Sequence, residues 1–246
     1  MQTHNQTHNS YQLQVKLYEA LVLLALHDEK GTTEGWYIEY TVAAAVLAEL
    51  LMMNRVKVNA DNKNKLEVID AAPTGDLVMD EVLHKIATKK RPDTMQNWVM
   101  AIGHIPKLKH KVAEQLVVDG IIKSEEKKVL WVFTQKVYPE VNPEPERHLR
   151  HEMRRLILDK PLEIDAKVAI LVALAKSAYL LKEVFSKDEL KTHKERIDKI
   201  AKGEELGQIT SEVVDAVQAA VMVAVMLPAM MAATTAATSS SSSSGC

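Results

Sequence analysis

Four stretches of this chain are apolar on almost every side of a helix, and that pattern limits the fold more than any single motif. Leu13 to Leu26 is the first, and Thr41 to Met53 repeats it with only Glu49 breaking a run of Val, Ala, Leu and Met. Ile164 to Phe185, opened by the capping residue Asp165, is the third, and Ser211 to Leu227 is the fourth. A helix that is apolar all round needs neighbours all round. The expected fold class is therefore mainly α: a central bundle of about four buried helices surrounded by amphipathic helices, with a small β-hairpin.

The outer layer follows from sparser stripes. Leu77 to Thr88 puts Val78, Val82, Leu83 and Ile86 on one face, and Asp188 to Ala201 reads as a half-exposed helix carrying Leu190, Ile197 and Ile200. Asp93-Thr94 starts a helix with Trp98 and Ile102 on one side, and Lys107 to Val118 ends at Gly120, a natural C′ residue. Val56 to Val58 and Leu66 to Ile69 can pair across the polar Asn59 to Lys65 loop, and Ile121 to Tyr138 reads as a hairpin. Pro143 and Pro145 precede a basic helix near Glu146 to Leu158.

No Pro/Gly/Ser-rich linker divides the interior of the 246 residues. Residues 11–227 are expected to form one domain between a disordered start (1–10) and a disordered Ala/Ser-rich tail (228–246). Aromatics are only 4% of the chain, so the core must be aliphatic. The formal charge of −2 means that any anion site has to be local. The lone Cys246 rules out an intrachain disulfide framework and a cysteine-based zinc site. Met1 to Ser10 repeats Gln-Thr-His-Asn and lacks the pattern of a signal peptide, so secretion is not expected. Ala216 to Ala233 approaches a membrane span in length, but Pro228, Gln218 and many alanines favour a bundle helix.

One turn stands out. In Ala72-Pro73-Thr74-Gly75-Asp76 the proline fixes φ, Gly75 frees the bend and Asp76 can cap the helix that follows, with Asp80 and Glu81 near its positive end. Other blocks accompany it in order: Leu17-Tyr18-Glu19 leading to Asp28-Glu29-Lys30-Gly31, Ala48-Glu49-Leu50 leading to Asn54-Arg55-Val56, Asp80-Glu81, Thr94-Met95-Gln96-Asn97-Trp98, and Leu116-Val117 through Gly120. In these blocks the chain, from about Leu17 to Val225, resembles the Golgi phosphoprotein 3 family. These are peripheral membrane proteins whose eukaryotic members bind phosphatidylinositol 4-phosphate. The short loop between Val58 and Ala72 looks like the family's prokaryotic-type branch.

The resemblance implies a shallow headgroup pocket built from one aromatic and several arginines. The aromatic position falls on Trp36, one arginine position on Lys109, a second on Pro106 or, with a one-residue shift, Lys107, and a third on Ala43. The residues also have a reading of their own. Lys107 and Lys111 are four apart on one helical face with His104 and His110 nearby, and Lys107 lies close to a helix start whose N–H groups favour an anion. Lys109 falls in the apolar arc and would have to snorkel. A solvated helix face accounts for the same lysines.

Lys127-Lys128 and Lys136 bracket the run Val129, Leu130, Trp131, Val132, Phe133. Positive charge around a short apolar run fits an element pressed into a headgroup layer, and the position matches the exposed apolar hairpin of the family. A strand half-buried against the bundle or a protein contact fits too. Arg147, Arg150, Arg154 and Arg155 form a further basic group that can flank the surface or simply face solvent.

Catalytic and metal chemistry find little support. His148 and His151 are three apart on a helix but lack a third ligand, Glu49 reads as a carboxylate paired with Arg55, and no Ser-His-Asp or Cys-His arrangement occurs. The expected function is a non-enzymatic, cofactor-free peripheral protein on anionic phospholipid, cytoplasmic, or on the cytosolic Golgi face in a eukaryote. It would act as a membrane-trafficking or membrane-organising adaptor, with protein cargo or a homo-oligomer through the hairpin as further partners. Two alternatives remain: a winged-helix-like nucleic-acid binder, in which Lys107 to Val118 and the lysine-flanked hairpin imitate helix and wing, and a protein–protein adaptor gripping through the hairpin. Nucleic acid is not the expected partner.

Overall fold

In the computed structural model, which describes residues 13–26, 35–59, 62, 65–129, 133–204 and 216–217, the chain runs through nine described α-helices and two small sheets. In order these are α1 (Leu17–Leu26), α2 (Gly35–Met52), β1 (Val56–Asn59), β2 (Lys65–Val68), α3 (Leu77–Thr88), α4 (Met95–Gly103), α5 (Leu108–Val118), β3 (Glu125–Val129) and β4 (Phe133–Val137). There follow α6 (Glu144–Arg154), α7 (Ala166–Ser177), α8 (Lys187–Thr192) and α9 (Lys194–Ala201). The chain is mainly helical, as the apolar pattern requires.

The core is built from α1, α2 and α7, each packed against the other two. Every residue from Val42 to Ala48 is fully buried, as are Leu17, Tyr18, Leu21, Val22 and Leu24 of α1 and Leu171, Val172, Leu174 and Ala175 of α7. Such helices gain their stability from neighbours rather than from an amphipathic face. Of the fourth apolar stretch Ala216 and Val217 are described, and both are buried in the same core. The ends assigned to disorder, 1–10 and 228–246, lie outside the described residues.

Around this core the amphipathic elements form where their stripes predict. Helix α3 buries Val78, Met79, Val82, Leu83 and Ile86, and α4, capped by Thr94, buries Met95, Trp98, Val99 and Ile102. Helix α4 lies so close to α2 that a Cβ on Gly103 would stand 2.3 Å from the Tyr40 ring. Helix α5 ends in a Schellman motif: Gly120, at φ +73°, donates to the Val117 carbonyl and Ile121 to that of Leu116. β1 and β2 pair antiparallel with Val56 opposite Val68.

Two expectations are corrected. The helix read from Asp188 to Ala201 is two helices, because His193 takes a non-helical backbone (φ −102°, ψ 15°) that ends α8 and begins α9. The arginines of α6 form no basic face. Arg147 pairs with Glu144, Arg150 with Glu146 and the Glu183 carbonyl, Arg154 with Glu189 and the Val184 carbonyl, and Arg155 with Glu152. Beyond α6 the helix widens into a π-turn at Arg155–Asp159 that stops at Lys160, before Pro161, and the Leu156 carbonyl there accepts Arg196.

Candidate functional site

The turn before α3 ties the outer layer to the core. Gly75 supplies φ +85°, a conformation that L side chains rarely adopt, and it delivers Asp76 to the N-cap, where its Oδ1 accepts the Met79 N–H at 2.8 Å. The same carboxylate, 4% exposed, accepts the Tyr18 hydroxyl at 2.6 Å and lies 3.1 Å from the Lys16 ammonium. Burial, then the bond to Asp76, pushes the Tyr18 phenol far above its ordinary range, so it serves as a fixed donor. Asp80 accepts the backbone N–H and hydroxyl of Thr74, which close the turn. Nearby, Glu49 accepts the Leu17 N–H at 2.6 Å and pairs with Lys167 at 3.1 Å. Arg55, the partner read from the sequence, instead holds Asp70 at 2.5 Å and the Ala72 carbonyl. Both arrangements are structural.

The start of α5 is the more open region. Lys107 takes the left-handed conformation (φ 58°, ψ 34°), which costs a non-glycine residue on the order of 1–2 kcal/mol, and it is exposed. Lys111 lies one turn on and meets Glu81 of α3 at 2.5 Å. Lys109 is half-buried. Its backbone N–H, one of those expected to await an anion, already donates to Glu39 Oε2 of α2 at 2.9 Å. Burial raises the Glu39 carboxyl above its usual range against the opposing pull of Lys109.

Trp36 belongs to the first turn of α2, one turn before Glu39 and Tyr40, which meet the Lys109 N–H and the His104 ring. Pro106 is exposed at that connection. Ala43 is fully buried two turns further along, so this third position of the resemblance falls in the core and not at a surface pocket.

The hairpin reaches the same region. In β3 and β4 Glu125 pairs with Val137 and Val129 with Phe133, so the two outer members of the apolar run form the last pair of the ladder. Leu130, Trp131 and Val132 lie outside the described residues; Val129 and Phe133 are placed by their strand positions. At the open end, Tyr138 approaches His110 Nδ1 at 3.1 Å and donates to Glu114, which also accepts Lys136. His110 thus stands among Lys107, Lys109 and Lys136. Burial, then the charges of Lys109, Lys107 and Lys136, lowers its imidazole pKa against the opposing charge of Glu114.

Sequence reasoning found Lys107, Lys109, Lys111 and the hairpin, but not Glu39, Glu81 or the Glu114–Tyr138–Lys136 link. The spacing Lys107, His110/Lys111, Glu114 marks one helical face and was the available signal for Glu114. With Glu81 and Glu114 engaged on it, α5 has no uninterrupted basic stripe of the kind a recognition helix presents. Among the described residues no group of three or more His, Cys, Asp or Glu is placed to hold a metal, and no helix is long and apolar enough to cross a membrane.

These features define a helical domain whose cationic helix start and projecting hairpin base lie side by side. Residues 17–222 match the Golgi phosphoprotein 3 (GPP34) family, and the chain belongs to it. Vacuolar protein sorting-associated protein 74 of Schizosaccharomyces pombe is 25% identical over 174 residues, covering 63% of this chain and 51% of that protein. The chain thus spans about half the length of this curated relative.

Proposed function

We propose that this chain is a peripheral membrane protein that binds anionic phospholipid headgroups through Trp36, Lys107, Lys109 and Lys111, with Val129, Leu130, Trp131, Val132 and Phe133 entering the headgroup layer. The supporting observation is the convergence on α5, where Tyr138 at the hairpin base meets His110 and Lys136 of β4 meets Glu114, within one to two turns of Lys107 and Lys109 at the helix start. Cations and an apolar tip on one flank can meet a bilayer together: the charges bring the protein to the surface and the tip holds it there. Family membership and the sorting protein among its relatives support a trafficking adaptor without enzymatic activity. They also favour phosphatidylinositol 4-phosphate as headgroup and, in a eukaryote, the cytosolic Golgi face. A lysine offers point charge without the bidentate fork of arginine, so discrimination between headgroups should be modest.

Liposome flotation tests the reading. The chain should float with vesicles containing phosphatidylserine or phosphatidylinositol 4-phosphate and stay behind with phosphatidylcholine alone. Lys107→Glu and Trp131→Glu should each reduce the floated fraction. Failure to float on any anionic vesicle ends the proposal, and equal flotation on both anionic lipids removes only the headgroup preference.

A further inference from the structure

At the other end of α4 lies a second cationic surface. Lys85 is in the last turn of α3, Lys90 and Arg91 follow in the α3–α4 connection, and Lys65 begins β2. Backbone bonds bring these segments together: Lys65 forms an isolated bridge with Thr94, and the Leu66 N–H donates to the Asp93 carbonyl at 2.8 Å. Lys85, Lys90 and Arg91 are exposed and Lys65 is half-exposed. Among the described residues none of the four makes an ion pair, whereas Lys16, Arg55, Lys57, Lys111, Lys136, Lys167, Lys176 and the four arginines at 147–155 all do.

Among the described residues, the acid inside the cluster is already engaged. Asp93 accepts Lys89 Nζ at 2.6 Å, Asn97 Nδ2 at 2.6 Å and the Thr94 N–H at 2.8 Å, and the Lys89 bond, followed by that from Asn97, holds its carboxyl at about 2. Lys89 in turn lies 4.7 Å from the centroid of the buried Trp98 ring. Glu67, the next acid on β2, faces Lys57 and accepts Asn59. The negative end of α3 accounts for Lys85 and Lys89. It does not reach Lys65, Lys90 and Arg91, which come together without an ion pair among the described residues and beside the positive end of α4.

We infer that this surface is a docking site for an acidic segment of a partner protein. Charge complementarity sets the chemistry. Lys65, Lys90 and Arg91 are three positive charges without an ion pair among the described residues, on a chain of net −2, and the connection at 89–92 exposes no large apolar side chain of the kind that would wedge into a bilayer. Helix α4, nine residues long, also separates it by about 13 Å from the α5 start. A protein seated on lipid through one end of α4 would hold the other end out for an acidic peptide. The inference does not rest on the lipid reading, because the unpaired charges stand whichever surface the hairpin meets.

Fluorescence anisotropy with a labelled peptide of alternating Glu and Ser tests it, with alternating Gln and Ser as the neutral control. The full chain should bind the Glu peptide and not the Gln peptide, and the affinity should fall steeply as salt rises. Lys90→Glu with Arg91→Glu should weaken binding at least roughly tenfold, and Lys107→Glu by less than about twofold. If the charge-reversed chain melts early, Lys90→Gln with Arg91→Gln takes its place, with a loss of about threefold or more expected. Unchanged binding in these variants, equal binding of the Gln peptide, or no binding of the Glu peptide at low salt overturns the inference. Loss of phosphatidylserine flotation in the Lys90/Arg91 variant, with peptide binding intact, also overturns it by assigning the surface to the membrane.

Discussion

Replacing Asp76 with alanine should be among the most damaging single changes outside the apolar core. The substitution removes the N-cap of α3, worth about 1 kcal/mol. It also deprives the fully buried Tyr18 hydroxyl of its acceptor, which costs about 1–3 kcal/mol because water cannot replace it. Lys16 keeps Glu19 at 2.8 Å, so loss of its contact with Asp76 adds little. The sum, about 3 kcal/mol, is a large share of the roughly 5–15 kcal/mol that holds a domain folded. In equilibrium urea unfolding the midpoint should drop by about 1 M at an ordinary m-value. Asp76→Asn keeps an oxygen for the Met79 N–H and should cost less than half as much. A double-mutant cycle with Tyr18→Phe isolates the contact and should return a coupling of about 1–2 kcal/mol. A loss below about 1 kcal/mol for Asp76→Ala, or strict additivity in the cycle, would show that the turn is not the anchor described here.

Two further outcomes are open to measurement. Gly103→Ala should destabilise the chain by about 1–3 kcal/mol in thermal or urea unfolding, because the new methyl collides with the Tyr40 ring, and adding Tyr40→Ala should make the pair less than additive. Glu189, held at about 2 by Arg154 and then by the Ser186 N–H, has a folded-state pKa below its ordinary 4.5, so its contribution is complete above pH 4.5 and is lost as the pH falls towards 2. Glu189→Gln should therefore flatten the fall of stability across that window in acid titrations followed by circular dichroism, and a slope identical to that of the parent chain would refute the assignment.

What could be read in advance was local. The Pro73 to Asp76 turn, the Thr94 cap, the Gly120 exit and the buried faces of α3 and α4 each depend on residues within a few positions of one another, and the structure reproduces them. The β1–β2 pairing was also readable, because a polar loop joins two short apolar runs. What escaped was contact across the fold. Glu49 turned to Leu17 and Lys167 rather than to Arg55, since α1 and α7 approach α2 in space and not in sequence. Of the acids that pair the arginines at 147–155, Glu144, Glu146 and Glu152 stand three or four positions before Arg147, Arg150 and Arg155, within reach of helical spacing, whereas Glu189 on α8 and the Glu183 carbonyl lie across the fold. His193 divided a helix whose stripe of Leu190, Ile197 and Ile200 continues across the break. At the site, the three α5 lysines could be found by spacing, while Glu39 could not, because nothing in its own neighbourhood points to an N–H seventy residues away.

That carboxylate changes how the start of α5 should be pictured. It is an occupied socket, and any arriving anion has to compete with a rival tethered to the same chain, present at high effective concentration and never diluted away. A tethered occupant of this kind sets a threshold: singly charged visitors gain little by displacing it, whereas a multiply charged group that also engages Lys107 and Lys111 has enough to offer. Selectivity for charge density is then built into the helix terminus itself, before any shape-matching pocket is considered.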